Sequence, residues 1–313
     1  MTQTPVRAVY GSVTMHNGRR ARWGRRFAIV VVLALAAALS VIVARHMTAD
    51  SRRDYLSTNG WPRQGQGAYQ LGADSPHATR DEKPVPIASL AKVMTAYLVL
   101  EEAPLGAGEE GPSLLVSGAD VADTERRRAR DESVLTVRAG EQLTERQALM
   151  AVLLPSANNL AVMITRYSSE SVPDFVAKMN RTAHALGMRD TTYTDPSGYD
   201  PGTVSTAADQ LTLAQVAAGT PTLARMMATR SYPLPLVGTV YNTDSLLGHD
   251  GFVGMKTGSD DAAGGCFMFR SRRQVGGHTV DLIGVVLGQH GRSLIAAALY
   301  AARQLADRVA PAA

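Results

Sequence analysis

Apolar positions recur at helical spacing through the middle of the chain and give way to short β-like runs in its last third. Ile87 and Ala88 lead into Leu90, Val93, Met94, Tyr97, Leu98 and Val99, so a helix opens at Ser89. Pro84 and Pro86 keep it from extending backwards. Thr144 with Gln147 three residues on forms a capping box for an apolar helix over 148–154. Pro155 interrupts that helix, and 159–167 resumes it. Further helices are predicted over 175–186, 206–218 and, amphipathic, 292–309. An extended segment is expected over 68–72, and a strand with a turn over 134–140. Four β-like runs, 232–241, 254–258, 265–270 and 280–287, are separated by Gly, Asn and Asp. One strand, many helices, several short-range strands and a last helix predict an α+β fold: an antiparallel sheet covered by helices.

Residues 27–44 (FAIVVVLALAAALSVIVA) break this pattern, with no charge and enough length to cross a bilayer core. Six arginines and no acid occupy residues 1–26. They predict a cytoplasmic N-terminus and an exported remainder. The expected organisation is a basic cytoplasmic tail over 1–26, a transmembrane anchor over 27–44, a polar stalk over 45–66 and a folded domain over 67–309. A cleaved signal peptide is the alternative to the anchor, with Ala44 near the cleavage point but Ile42 a poor match upstream. The chain's net charge is +4, and removing those six arginines leaves −2 on the rest. A nucleic-acid-binding domain would carry positive charge on its folded part, so that class is excluded. The single Cys266 forbids an internal disulfide and reads as a small buried hydrophobe.

Three strings carry the chemistry: Ser89-Leu-Ala-Lys92, Ser156-Ala-Asn158 and Lys256-Thr-Gly258. Helical spacing puts Ser89 and Lys92 one turn apart on one face. A serine hydroxyl needs a base, and lysine is one only when neutral. Lowering its pKa by roughly three units costs about 4 kcal/mol, within reach of a buried site near a second cation. Ser156 offers a hydroxyl to relay a proton to a leaving amine, and Asn158 an amide for Lys92 and a substrate amide. Lys256 supplies the second cation, expected to stay charged, and with Thr257 a binding point for a carboxylate. Gly258 lets a strand edge lie close to a substrate backbone. The backbone N–H groups of Ser89 and Ser259 are candidates for an oxyanion hole. Competing machinery is thin. The seven histidines show no metal-ligand spacing, no cofactor motif appears, and there is no G-x-S-x-G elbow.

With its strings in this order, the chain resembles the serine D-Ala-D-Ala carboxypeptidases, the low-molecular-weight penicillin-binding proteins. The supporting stretches are PIASLAKVMTAYLVL, LTERQALMAVLLPSANNLA, LGMRDTTYTDPSGYD and GFVGMKTGSDDAAGGC with IGVVLGQ. The resemblance implies a β-lactamase-like α+β fold with a helical subdomain, and hydrolysis of the terminal D-Ala from peptidoglycan stem peptides in cell-wall biogenesis. It implies a Ser89 acyl-enzyme with Lys92 as base and Ser156 as relay. Asn158, Lys256, Thr257, Gly258 and Ser259 would hold substrate, with Arg292 a weaker candidate for its carboxylate. β-Lactam antibiotics would be covalent inhibitors, and the cytoplasmic membrane a partner through the N-terminal helix. The charged run 123–132 (DTERRRARDE) is read as a solvated loop or helix face, or as a rim against an anionic wall polymer. Asn159 stands where many relatives carry Asp. A class A β-lactamase is disfavoured because Glu170, the last glutamate, falls so soon after Ser156. A wall-binding module without turnover would be marked by a lost serine or lysine, and neither is lost.

Overall fold

A computed structural model describes residues 54–313, Glu170 excepted. The tail over 1–26, the anchor over 27–44 and the first part of the stalk lie outside the described residues, as does Glu170. Among the described residues no helix is long and apolar enough to cross a membrane. The stalk reading is corrected where it can be checked: Tyr55 and Leu56 are buried, and Tyr55 stacks on Tyr300 with ring centroids 6.4 Å apart. Two apolar side chains in a polar run are enough to pin that segment to the domain.

The chain enters the fold through β1 (Gln66–Leu71), β2 (His77–Ala78) and β3 (Val85–Pro86). A 3-10 turn, Ala88–Leu90, runs directly into α1 (Ala91–Glu102). A mostly helical stretch follows: β4 (Ser113–Leu115), α2 (Gly118–Arg128), β5 (Gln142–Thr144), α3 (Glu145–Leu153), α4 (Asn158–Met163) and α5 (Val172–Ala185). Then come β6 (Val204–Ser205), α6 (Ala207–Gly219), α7 (Pro221–Met227), β7 (Ser231–Leu234) and β8 (Gly238–Tyr241). The chain closes with β9 (Phe252–Asp260), β10 (Gly264–Val275), β11 (His278–Gln289) and α8 (Leu294–Val309).

Five strands form one sheet in the order β2-β1-β11-β10-β9, every pairing antiparallel. This bears out the α+β class. Side chains alternate between its faces, as the pleat requires. Phe267, Phe269, Leu282 and Val286 pack under α8, while Cys266, Met268, Val285 and Leu287 join the core shared with α1 and the other helices. Burial pushes the Cys266 thiol up to about 12, which suits a side chain that only fills space. Helix α1 is buried nearly all round, with Val93, Met94, Ala96 and Val99 fully inaccessible, so any polar side chain in its first turn is forced inward. β9 is an edge of the sheet and lies against the 3-10 turn Ala88–Leu90.

Three expectations change. The run 232–241 forms a separate hairpin of β7 and β8, and does not join the main sheet. No strand forms over 134–137. There the Asn159 side chain takes both backbone groups of Leu135, accepting from its N–H at 3.1 Å and donating to its carbonyl at 2.8 Å, and so replaces a ladder partner. The short helix α7 is an addition, opened by Pro221 in its first turn.

Candidate active site

The first wall of the site is the turn that opens α1. Lys92 is fully buried, and its Nζ lies 2.6 Å from Ser89 Oγ and donates to the Ser197 carbonyl at 2.9 Å. Burial holds the Lys92 ammonium well below an ordinary lysine. Lys256 and Arg127 push it the same way, against Asp195 and Glu132. Ala88, immediately before Ser89, sits at φ 46°, a left-handed conformation that costs a non-glycine residue on the order of 1 kcal/mol. Gly198 lies against that kink. At φ 76° it is in glycine's own region, and a Cβ there would stand 1.8 Å from the Ala88 carbonyl oxygen.

Gly198 belongs to the irregular 194–200 loop. Asp195 organises that loop by accepting from the backbone N–H of Ser197 at 3.0 Å, of Gly198 at 3.0 Å and of Tyr199 at 3.2 Å. It also accepts from Thr203 Oγ1 at 2.8 Å and from the Ser197 hydroxyl. Thr95, one turn beyond Lys92, donates to the Pro196 carbonyl at 2.7 Å. The carbonyl that holds Lys92 is therefore fixed by a carboxylate the sequence reading missed. Its signal was present: an Asp followed by Pro-Ser-Gly is an Asx turn, and such a turn aims a carbonyl.

The second wall comes from the break between α3 and α4. The Thr144–Gln147 capping box forms as expected. After Pro155 the chain turns through Ser156 at φ 66°, leaving its Oγ buried and without a hydrogen-bond partner. The hydrogen bond expected between Asn158 and Lys92 is not made. Asn158 donates from Nδ2 to Glu132 Oε2 at 2.9 Å, and its Oδ1 is buried without a partner. Glu132 ends the charged run 123–132. The run is not simply a solvated face, because the Glu132 side chain is fully inaccessible and paired with Arg127 at 2.9 Å and Arg130 at 2.7 Å. Nothing local in the sequence sets it apart from Asp123, Glu125 and Asp131 in the same run.

The third wall is β9. Gly258 lies so close to the turn that a Cβ there would come within 2.9 Å of the Ser89 backbone nitrogen. Lys256 is buried and donates to the Thr257 carbonyl at 2.9 Å. Burial pushes its pKa down to about 7, against the opposing pull of Asp244. Asp244, buried beside it, is pushed up to about 6 by the same desolvation. Thr257 Oγ1 shares a 2.6 Å hydrogen bond with Thr243 Oγ1, and Thr243 N donates to the Leu154 carbonyl at 3.3 Å. Thr243, unforeseen from sequence, thus joins the second wall to the third.

The walls enclose a cleft of about 460 Å³. Ser89, Asn158 and Ser259 line it, with Arg130, Tyr199, Asp260 and Asp261 at its rim. Lys92, Ser156, Lys256, Thr257 and Gly258 are buried behind that surface. Arg292 is exposed and is not part of the lining. Such an arrangement can deprotonate a serine and hold an extended acyl donor along a strand edge.

Comparison with known proteins agrees. The peptidase S11 family model, described as D-alanyl-D-alanine carboxypeptidase, matches residues 77–291. A D-alanyl-D-alanine carboxypeptidase of Streptomyces sp. strain K15 is 28% identical over 286 residues, covering 85% of this chain and 92% of that one. D-alanyl-D-alanine endopeptidases of Pseudomonas aeruginosa and Escherichia coli are 33% and 28% identical over 150 and 193 residues, covering 48% and 59% of this chain. These matches span 41% and 59% of the endopeptidases' own length. The crystal structure of the Streptomyces K15 DD-transpeptidase aligns with TM-score 0.67 at 25% identity, over 78% of this chain and 95% of that one. All three strings and the cleft they build fall inside the matched region, and the chain belongs to the peptidase S11 family of D-alanyl-D-alanine carboxypeptidases.

Proposed function

We propose that this domain is a serine DD-peptidase that removes the terminal D-Ala from peptidoglycan stem peptides through a Ser89 acyl-enzyme. The observation that carries the reading is the 2.6 Å contact between Ser89 Oγ and a fully buried Lys92 Nζ. A lysine held below its ordinary pKa takes the serine proton as Oγ attacks the penultimate D-Ala carbonyl. The backbone N–H groups of Ser89 and Ser259 receive the developing oxyanion. Ser156 passes the proton to the departing D-Ala amine. Lys256 and Thr257 supply the positive and hydroxyl character that favours a terminal carboxylate, while Asn158 offers hydrogen bonds to the penultimate part of the peptide. Water then releases the shortened peptide. β-Lactams present a strained amide to the same serine and stay attached as stable esters.

The test is D-Ala release from a peptide ending in D-Ala-D-Ala. Wild-type protein should release it, and Ser89→Ala should not. Equal release by both would end the reading. The endopeptidase names of two relatives support a second activity, cleavage of cross-linked stem peptides, read out as monomer release from a cross-linked muropeptide dimer.

The arginines of residues 1–26 and the apolar run 27–44 support an extracytoplasmic domain carried on a single N-terminal anchor. Alkaline extraction of native membranes should leave the protein in the pellet. A soluble form beginning near Arg45 would favour the cleaved signal.

A further inference from the structure

The second wall holds a charged cluster that the reaction above does not use. Glu132 is buried in the lining of the cleft, yet three polar groups converge on it. Arg127 Nη1 and Asn158 Nδ2 both donate to Oε2 at 2.9 Å. Arg130 donates to Oε1, from Nε at 3.1 Å and from Nη2 at 2.7 Å. The backbone is bent to bring the carboxylate there. Asp131 sits at φ 57°, and Glu132 N closes back on the Arg127 carbonyl at 3.2 Å, just past the end of α2.

An asparagine amide has a donor end and an acceptor end of nearly equal size, and which end faces the substrate decides what it can bind. A carboxylate receiving two guanidinium groups only accepts, so the end of Asn158 that meets it must be the nitrogen. We infer that Glu132, clamped by Arg127, is a positioning residue that fixes the Asn158 amide in one orientation, with its nitrogen towards the carboxylate. The unpartnered, buried Oδ1 is the consequence seen in the structure. The inference rests on the DD-peptidase reading and adds to it a residue that holds one of its substrate-binding side chains in place. The same carboxylate also acts on the base. Lys92 is faced by Lys256 and Arg127, which disfavour its protonated form, and by Asp195 and Glu132, which favour it.

The test uses Glu132→Gln, whose amide lets Asn158 turn over. Acylation by a fluorescent penicillin should slow roughly tenfold, the size of one lost charge-assisted hydrogen bond. The acidic limb of its pH profile should move to lower pH, because a negative charge favouring protonated Lys92 is gone. In an N158A background the same substitution should cost nothing further. An E132Q variant with wild-type rate and limb overturns the proposal, and so does an equal loss in the N158A background. Should E132Q not fold, Arg127→Gln serves. It should also slow acylation but move the limb to higher pH, and an unchanged rate and limb there overturns the proposal. Independently of activity, the Asn158 side-chain NH2 protons should exchange slowly with solvent in wild-type protein and faster in the variant. Fast exchange in the wild type contradicts the clamp. A wild-type protein that acylates nothing but keeps slow exchange would fail the functional reading alone.

Discussion

The first and second walls of the cleft are finished to different degrees. At the opening of α1, Lys92 already holds Ser89 Oγ and the Ser197 carbonyl, and Asp195 secures the loop behind them. At the break between α3 and α4, Ser156 Oγ and Asn158 Oδ1 are buried and bonded to nothing in the protein. A buried polar atom without a partner costs about 1–3 kcal/mol. That cost sits on the wall where a ligand would supply the missing partners, and it is absent from the wall that must hold its geometry beforehand. Under the proposed mechanism the nucleophile and base are preassembled, and the second wall would gain its missing partners from what binds. Preorganised groups need no rearrangement in the transition state, and an unsatisfied pair favours binding by gaining hydrogen bonds.

The largest effect that could break this contrast is on the finished wall. Lys92→Met should reduce acylation of Ser89 at pH 7 by about three orders of magnitude or more, read by stopped-flow or gel fluorescence with a labelled penicillin. It should leave the protein as stable or more so, because a buried amine is replaced by a thioether. Asp195→Asn comes next. One amide oxygen cannot replace two carboxylate oxygens shared among so many donors, so about 1–3 kcal/mol of stability should be lost by urea titration, with a fall in acylation rate.

On the unfinished wall the signs should separate. Ser156→Ala removes a hydroxyl with no protein partner, so melting should change by no more than a degree or two, while acylation slows roughly 10- to 100-fold. A large loss of stability would show that Ser156 is bonded in the resting state and would remove the contrast. The smallest effect is a control away from the cleft. Glu145 is buried with neither carboxylate oxygen bonded, and burial pushes it up to about 7 from an ordinary 4.5. Between those values the folded state binds the extra proton, so stability falls as pH rises through that window. Glu145→Gln should therefore raise the melting temperature at pH 8 relative to wild type and lose that advantage towards pH 4.5, with no change in acylation.

Much of this was legible in the sequence for reasons of spacing. Three-and-four periodicity located α1, and with it the shared face of Ser89 and Lys92. The capping box located α3, and the proline after it marked the break that carries Ser156. The Lys-Thr-Gly run lay on a strand because β9, β10 and β11 alternate around short turns. What stayed hidden depends on contacts distant in sequence. Glu132 reads as one more charge in a polar run until α2 and the bend at Asp131 turn it inward. Asp195 reads as a turn residue until the loop is seen to hold Lys92. Asp244 and Thr243 carry no local pattern: Asp244 matters through the buried Lys256, and Thr243 through its hydrogen bonds to Thr257 and Leu154. The strand expected over 134–137 failed for a similar reason, since a single asparagine side chain supplied what a neighbouring strand would have.

The central claim is that a neutral Lys92 activates Ser89. Its most direct test is the attachment of benzylpenicillin at pH 7, followed by intact-mass and peptide-mapping measurements on wild-type protein and Lys92→Met. The account predicts one adduct, on Ser89, lasting minutes or longer in the wild type and nearly absent in the variant. An adduct on another residue, or equal labelling of both proteins, would contradict it.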